Sequence, residues 1–259
     1  MKLAMVSAHT VDFYHFFKIQ YAMMQMYDPL VKITVAKSDT FEQFNEKVDW
    51  VDLGYPDFLH PMHRNYTTKF NFARAPLAQS VDADRVAWVD ADILPLVPTA
   101  ISNFMTVSDK PTVAHNVYMS DEQYDGWNSL TEWYGVGKLP CYNCGLVAAN
   151  RDDSFWNEWA DAKKMLYLSR LDYFLTYEGD YHYGIPLRMF FIDQIALNYV
   201  INKDVSRFHC VDSSNNWQPL DPNGNMFKDT IRMPFDTKIL HLSGPSKKSL
   251  LINKETINV

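Results

Sequence analysis

The tripeptide Asp-Ala-Asp occurs twice in close succession, at 82–84 and 90–92, within the stretch "VDADRVAWVDADILPL". The second copy follows "RVAWV" (85–89), an apolar run with the character of a buried parallel strand, which puts Asp90 and Asp92 at that strand's carboxyl end. In open α/β sheets this is the edge where ligands bind. Residues two apart on a strand face the same side, so the two carboxylates can converge on one cation. Oxygen ligands of this kind suit Mg²⁺ or Mn²⁺ shared with the phosphates of a substrate. The first copy precedes the strand and follows a helical stretch, so Asp82 and Asp84 read as residues of the turn that enters it. Cys141 and Cys144 form a Cys-X-X-Cys, but Cys210 stands alone and no further zinc ligands occur at a recognisable spacing. In an extended strand, positions three apart also face opposite sides.

The elements that would position these groups follow from periodicity. Short apolar runs at 2–8, 31–36, 85–89, 112–115, 144–150 and 238–243 alternate with helical patterns at 12–27, 39–47, 70–80, 152–170 and 191–202. Such alternation specifies an α/β fold with a mainly parallel sheet flanked by helices. The segment 118–138, rich in Tyr, Trp, Asp and Gly, reads as irregular structure or a short helix, and 212–236 as a long loop. Aromatics interleaved with hydrogen-bonding side chains at 124–134 and 214–219 fit either a groove for saccharides or core filling.

Composition limits the class. The chain has 259 residues, 47% of them hydrophobic, enough for one substantial core. Its formal charge of -7, without clustered Lys and Arg, argues against nucleic acid as a partner. No run of about eighteen apolar residues is present, so no transmembrane segment is expected, and no signal pattern precedes the first strand. Three cysteines cannot all pair, which fits a reducing compartment, and a cytoplasmic location is expected.

"VAWVDADILPL" resembles the metal-binding motif of GT-A (Rossmann-like) glycosyltransferases. Three further stretches, in the same order, resemble family 8 of those enzymes, the glycogenin and bacterial galactosyltransferase family: "YNCGLVAAN" (142–150), "DQIALN" (193–198) and "HLSGPSKK" (241–248). The resemblance spans about residues 1–248. It implies one GT-A catalytic unit over 1–259, with 1–116 as the nucleotide-binding half and 117–259 as the sugar- and acceptor-binding half. It also implies that Asp90, Asp92 and His241 are ligands of Mn²⁺ (or Mg²⁺), and that Gly244 and Lys247 close on the diphosphate of a nucleotide-sugar, a UDP-hexose. Asn143 and Gly145 would lie near the donor sugar, Ser7 and Ala8 near the base, and Arg74 on the donor. Asp193 and Gln194 match residues that contact the sugar on its reacting side. The acceptor would be a hydroxyl of a glycan, glycoside or glycoprotein, and the anomeric configuration would be retained.

The residue types suit that chemistry. A divalent ion and a lysine, fixed in advance, stabilise charge that grows on a leaving diphosphate. Imidazole at His241 favours Mn²⁺ over Mg²⁺. Asp193 opens an apolar helix pattern, where a cap and a ligand contact are compatible roles. The chain departs from the family pattern in two places: Lys247-Lys248-Ser249 stands where the family has Lys-Pro-Trp, and "SAHTVDFY" (7–14) replaces a more compact turn. These departures mark a remote member or a neighbouring family. Two other readings compete. A sugar-phosphate nucleotidyltransferase would need a Gly-rich phosphate loop after the first strand, and 7–16 contains no Gly. A non-catalytic carbohydrate-binding protein on the same fold would have no use for a diphosphate clamp.

Overall fold

The computed structural model describes residues 1–8, 13–36, 48–115, 121–182, 184–215, 218 and 236–242. The helix expected at 39–47, most of the loop expected at 212–236, and Gly244 and Lys247 lie outside the described residues. In chain order the elements are β1 (Leu3–Ala8), α1 (Tyr14–Tyr27), β2 (Lys32–Ala36), β3 (Asp49–Val51), α2 (Tyr66–Ser80), β4 (Arg85–Val89), β5 (Ile93–Pro95), α3 (Ala100–Thr106), β6 (Thr112–His115) and α4 (Asp121–Trp133). There follow β7 (Tyr142–Asn150), α5 (Ser154–Leu168), α6 (Leu171–Leu175), β8 (Tyr181–His182), β9 (Ile185–Pro186), α7 (Leu187–Phe190), α8 (Ile192–Lys203), β10 (His209–Val211) and β11 (Ile239–His241).

Seven strands form the central sheet in the order β10-β6-β7-β4-β1-β2-β3. All neighbours run parallel except β7, which is antiparallel to both β4 and β6. That reversal matters for the site. Its register sets Arg85 opposite Asn150 and Val89 opposite Leu146, so the beginning of β7, not its end, lies at the carboxyl edge of β4. Asn143 and Gly145 are thereby delivered beside Asp90, whose N–H donates to the Gly145 carbonyl at 2.8 Å.

The sheet is covered on both faces, and strand parity decides what each face meets. Ala4, Val6, Val86, Trp88, Val147 and Ala149 pack with residues of α2, α5 and α8. Met5, Ala87, Val89, Leu146 and Ala148 pack instead with Phe17 and Met24 of α1 and Ile101 and Phe104 of α3. Burial on both faces is why these strands read as continuous apolar runs. Asn65 starts α2 with a reciprocal cap: its side chain accepts from Thr68 N at 3.0 Å, and Thr68 Oγ1 accepts from Asn65 N at 3.1 Å. Such a cap contributes about 1 kcal/mol and fixes where the helix carrying Arg74 begins.

Two expectations are corrected and a third holds. Residues 121–133 form a full helix, α4, whose Trp127 is buried and donates to the Leu139 carbonyl at 3.0 Å. The strand at 238–243 is shorter, Ile239–His241, and pairs antiparallel with β5 in a separate two-stranded ribbon. The first Asp-Ala-Asp does act as an entry turn: Asp84 accepts from Lys2 N at 2.6 Å and Asp82 pairs with Lys2 Nζ at 3.0 Å, both exposed.

Candidate active site

Asp90 and Asp92 converge by a different route from the one their spacing implies. β4 ends at Val89, and residues 90–93 close a tight turn in which Ile93 N donates to the Asp90 carbonyl at 3.0 Å. Gln20 of α1 braces this turn, donating to the carbonyls of Asp90 and Ile93, each at 2.7 Å. The β5–β11 ribbon then sets His241 opposite Ile93, and Leu242 N donates to the Asp92 carbonyl at 2.9 Å. The outcome is a cluster in which one ligand atom each from Asp90, Asp92 and His241 lies within 4.8 Å of the others. His241 Nε2 is 3.6 Å from Asp92 Oδ1, and Nδ1 is 3.5 Å from the amide of Gln218, which orients the ring.

The two oxygens of Asp90 have separate duties. Oδ1 accepts from Trp88 Nε1 at 2.7 Å and lies 3.4 Å from the Arg74 guanidinium. Oδ2 faces Gly145, where a Cβ would sit 2.7 Å from it and 3.1 Å from His241 Cε1. Gly145 thus keeps open the space between carboxylate and imidazole. Burial pushes the Asp90 carboxyl upward in pKa despite the charge of Arg74, and Asp92 pushes it further. The half-buried Asp90 beside the buried Asp92 is stabilised by a cation, so the donor set and the cradle at Gly145 fit a divalent ion with mixed oxygen and nitrogen ligation.

Arg74, on α2, is the hub of the site. It is 6% exposed, and NH2 reaches Asp193 Oδ2 at 2.7 Å as well as Asp90, while NH1 donates to the Cys144 carbonyl at 2.5 Å. Its plane lies 4.7 Å from the Trp88 ring and 5.9 Å from that of Trp159. Burial disfavours the charged guanidinium, but Asp90 and Asp193 outweigh it and hold the pKa above its ordinary value. The family resemblance implies a donor contact for Arg74; in the structure it engages the protein's own carboxylates.

Asp193 is not the cap of α8. Phe191 occupies that position, and the Asp193 side chain turns to Arg74 with Oδ1 accepting from Gln194 N at 2.7 Å. Its carbonyl accepts from Trp159 Nε1 at 2.9 Å. Gln194 donates to Cys141 Sγ at 3.3 Å, and Cys144 Sγ lies 3.9 Å from Gln194 Oε1. Cys141 and Cys144 therefore reach the same amide, contrary to the expectation that they face opposite sides. The β6–β7 register shifts between Val113 and Ala114, so simple strand alternation fails there. All three cysteines are free. Asn143 is buried and its Oδ1 accepts from Gly145 N at 2.8 Å. Ser7 and Ala8 end β1 at the same carboxyl edge, and the buried Ser7 Oγ has no hydrogen-bond partner among the described residues.

Several members of the site carry no motif. Gln20 sits on the buried stripe of α1 with Phe16, Phe17 and Met24, and Lys163 on that of α5 with Trp159 and Leu166. A polar or charged residue on an apolar helical stripe is the signal that could have found both.

No protein-family model matches the sequence, and no curated protein matches it. Solved structures do. The galactosyltransferase LgtC, in complex with donor and acceptor sugar analogs, superposes with a TM-score of 0.59 at 15% identity over 99% of this chain and 97% of that one. Mouse xyloside xylosyltransferase 1 gives 0.56 at 13% identity over 93% and 97%. The glycosyltransferase GlyE of Streptococcus pneumoniae TIGR4 gives 0.54 at 18% identity, over 95% of this chain and 56% of that one. The fold is that of the GT-A glycosyltransferases, with a mostly parallel seven-stranded sheet between helices. Among the described residues, no helix is long and apolar enough to cross a membrane.

Proposed function

We propose that the protein is a metal-dependent glycosyltransferase that moves a hexose from a UDP-sugar to a hydroxyl of a glycan, glycoside or glycoprotein, with retention at the anomeric carbon. One observation carries this reading: a potential cation site of two carboxylates and an imidazole is joined through one buried arginine to Asp193 at the start of α8. A UDP-sugar presents a diphosphate to the first and a reacting sugar to the second.

In this reading Asp90, Asp92 and His241 hold Mn²⁺ or Mg²⁺, which supplies positive charge against the charge that grows on the departing diphosphate. Gly244 and Lys247 add a backbone approach and an ammonium to the same diphosphate. Ser7 and Ala8 border the base, within a nucleotide-binding half at 1–116. Asn143 and Gly145 flank the donor sugar. Asp193 and Gln194 face its reacting side from the half at 117–259. Both oxygens of Asp193 are engaged, one by Arg74 and one by Gln194 N. That favours an electrostatic role over covalent attack, with the departing phosphate taking the acceptor's proton on the same face. A cytoplasmic location, expected from cysteine usage, belongs to the same reading.

A thermal-shift comparison of UDP, GDP and CDP, each with Mn²⁺ and with EDTA, tests the reading. A ligand at about a hundred times its Kd stabilises the fold by roughly 2.7 kcal/mol. UDP is expected to stabilise in the presence of Mn²⁺ and not with EDTA. No shift with any nucleotide, or a shift indifferent to metal, would remove the reading.

A further inference from the structure

Arg188, on α7, is held in an unusual way. Its guanidinium lies 4.5 Å from the Trp133 ring and 5.5 Å from that of Tyr173. Its backbone is fixed by Tyr134, whose hydroxyl donates to the Arg188 carbonyl at 3.0 Å. Every other arginine among the described residues donates a guanidinium N–H to an oxygen: Arg64, Arg74, Arg85, Arg151, Arg170 and Arg207. Arg188 donates to none among the described residues.

Arg170 stacks on the same indole at 5.0 Å but is used by the carbonyls of Trp133 and Ser169. Two guanidinium charges therefore share one tryptophan with no carboxylate in ion-pair contact among the described residues, in a protein of net charge -7. Stacking orients the planar Arg188 guanidinium while leaving its N–H edge unspent, the arrangement in which guanidinium receives a two-oxygen anion. Beyond Tyr173 the aromatic row continues, with Tyr177 at 5.4 Å and then Tyr181 at 5.6 Å, the latter 57% exposed. Partly exposed rings in a row present apolar faces suited to the C–H faces of pyranose rings.

The chain itself connects this surface to the candidate active site. Phe191 alone separates α7 from α8, so Arg188 lies within about two helical turns of Asp193.

We propose that Arg188, with Trp133 and Tyr173 as its support, receives the oxyanion of an acidic saccharide, a carboxylate or a phosphate on the acceptor. The word acceptor rests on the glycosyltransferase reading; the oxyanion site itself does not.

The test is a ligand-observed NMR titration of the full chain, in metal-free buffer, with methyl β-D-glucuronide, glucose 6-phosphate and the neutral methyl β-D-glucoside. At least one acidic sugar is expected to bind tenfold or more tightly than the neutral one, and which of the two leads identifies carboxylate or phosphate as the anion. Arg188→Gln is expected to abolish the preference, and Arg188→Lys, which keeps the charge and loses the flat fork, to weaken it. Equal or immeasurable binding of all three to the native chain, or a preference that survives Arg188→Gln, overturns the proposal. The UDP and Mn²⁺ thermal shift on the same sample reports the nucleotide site separately, so its failure would remove the transferase reading and leave the saccharide preference standing.

Discussion

Arg74 NH2 lies 2.7 Å from Asp193 Oδ2, and the same nitrogen lies 3.4 Å from Asp90 Oδ1. One buried cation therefore sets the distance between the potential metal site and the helix start proposed to face the sugar. Replacing it with Met would leave the buried Asp193 and the half-buried Asp90 without their partner. Loss of one member of a buried ion pair costs about 3–5 kcal/mol. Arg74→Met is expected to lose that much stability in urea denaturation near pH 7 and to recover part of it on acidification, as Asp90, already raised by burial and now without Arg74, is protonated. A loss under about 1 kcal/mol would show that Arg74 is not the hub described above.

Gly145 separates two candidate cation ligands, Asp90 and His241, by having no side chain. In Gly145→Ala the new methyl would meet Asp90 Oδ2 at 2.7 Å, closer than a carbon tolerates, and His241 Cε1 at 3.1 Å. Overpacking of this kind costs about 1–3 kcal/mol and is relieved here by displacing the two ligands. Calorimetric titration should show Mn²⁺ affinity reduced about 10–100-fold, the scale on which supporting residues of metal sites act. Unchanged affinity would place the cation elsewhere.

Asp92→Ala separates the transferase from a carbohydrate-binding protein that shares its fold. The substitution removes a buried carboxylate of the candidate cation site while leaving the Leu242 N–H bonded to the Asp92 backbone carbonyl. Metal-dependent turnover is expected to fall by on the order of 10²–10³, the cost of removing one group aimed at developing charge. A native chain that shows no turnover, with glycan binding undiminished in Asp92→Ala, would favour the binding protein.

The fold was legible in the sequence where local physics decides structure. The run "RVAWV" is apolar throughout because both faces of β4 are covered, and the acidic residues after it mark the sheet edge. The direction of β7 left no such mark. A strand buried on both faces carries the same apolar run whether it lies parallel or antiparallel to its neighbours, yet its reversal is what brings Asn143 and Gly145 to Asp90. α4 was obscured by Gly126 and by polar residues that weaken the helical pattern. In the site, Asp90, Asp92 and His241 were recognisable by type and context. The pairing of Arg74 with Asp193 was not, because it depends on how α2, α5 and α8 pack, and no local spacing encodes that.

Lys163 gives a prediction of opposite sign to that usual for a paired lysine. Its ammonium is fully buried, donates to the Asn71 carbonyl at 2.7 Å and sits 4.5 Å from the Trp159 ring. Burial, and then the charge of Arg74, push its pKa down from 10.5 to about 7. Between those two values the unfolded chain carries a proton that the folded chain has released, so this residue makes stability rise with pH across that window. Below about pH 7 both states are protonated and the penalty is full and constant. Denaturant titrations of the native chain and Lys163→Met at pH 7, 8 and 9 isolate the effect, since the other groups largely cancel in the difference. Native minus variant stability is expected to climb by roughly 1 kcal/mol per pH unit. A flat difference would mean that Lys163 remains charged in the folded protein, and Asp193, under the same Trp159, would then sit beside two cations, Arg74 and Lys163.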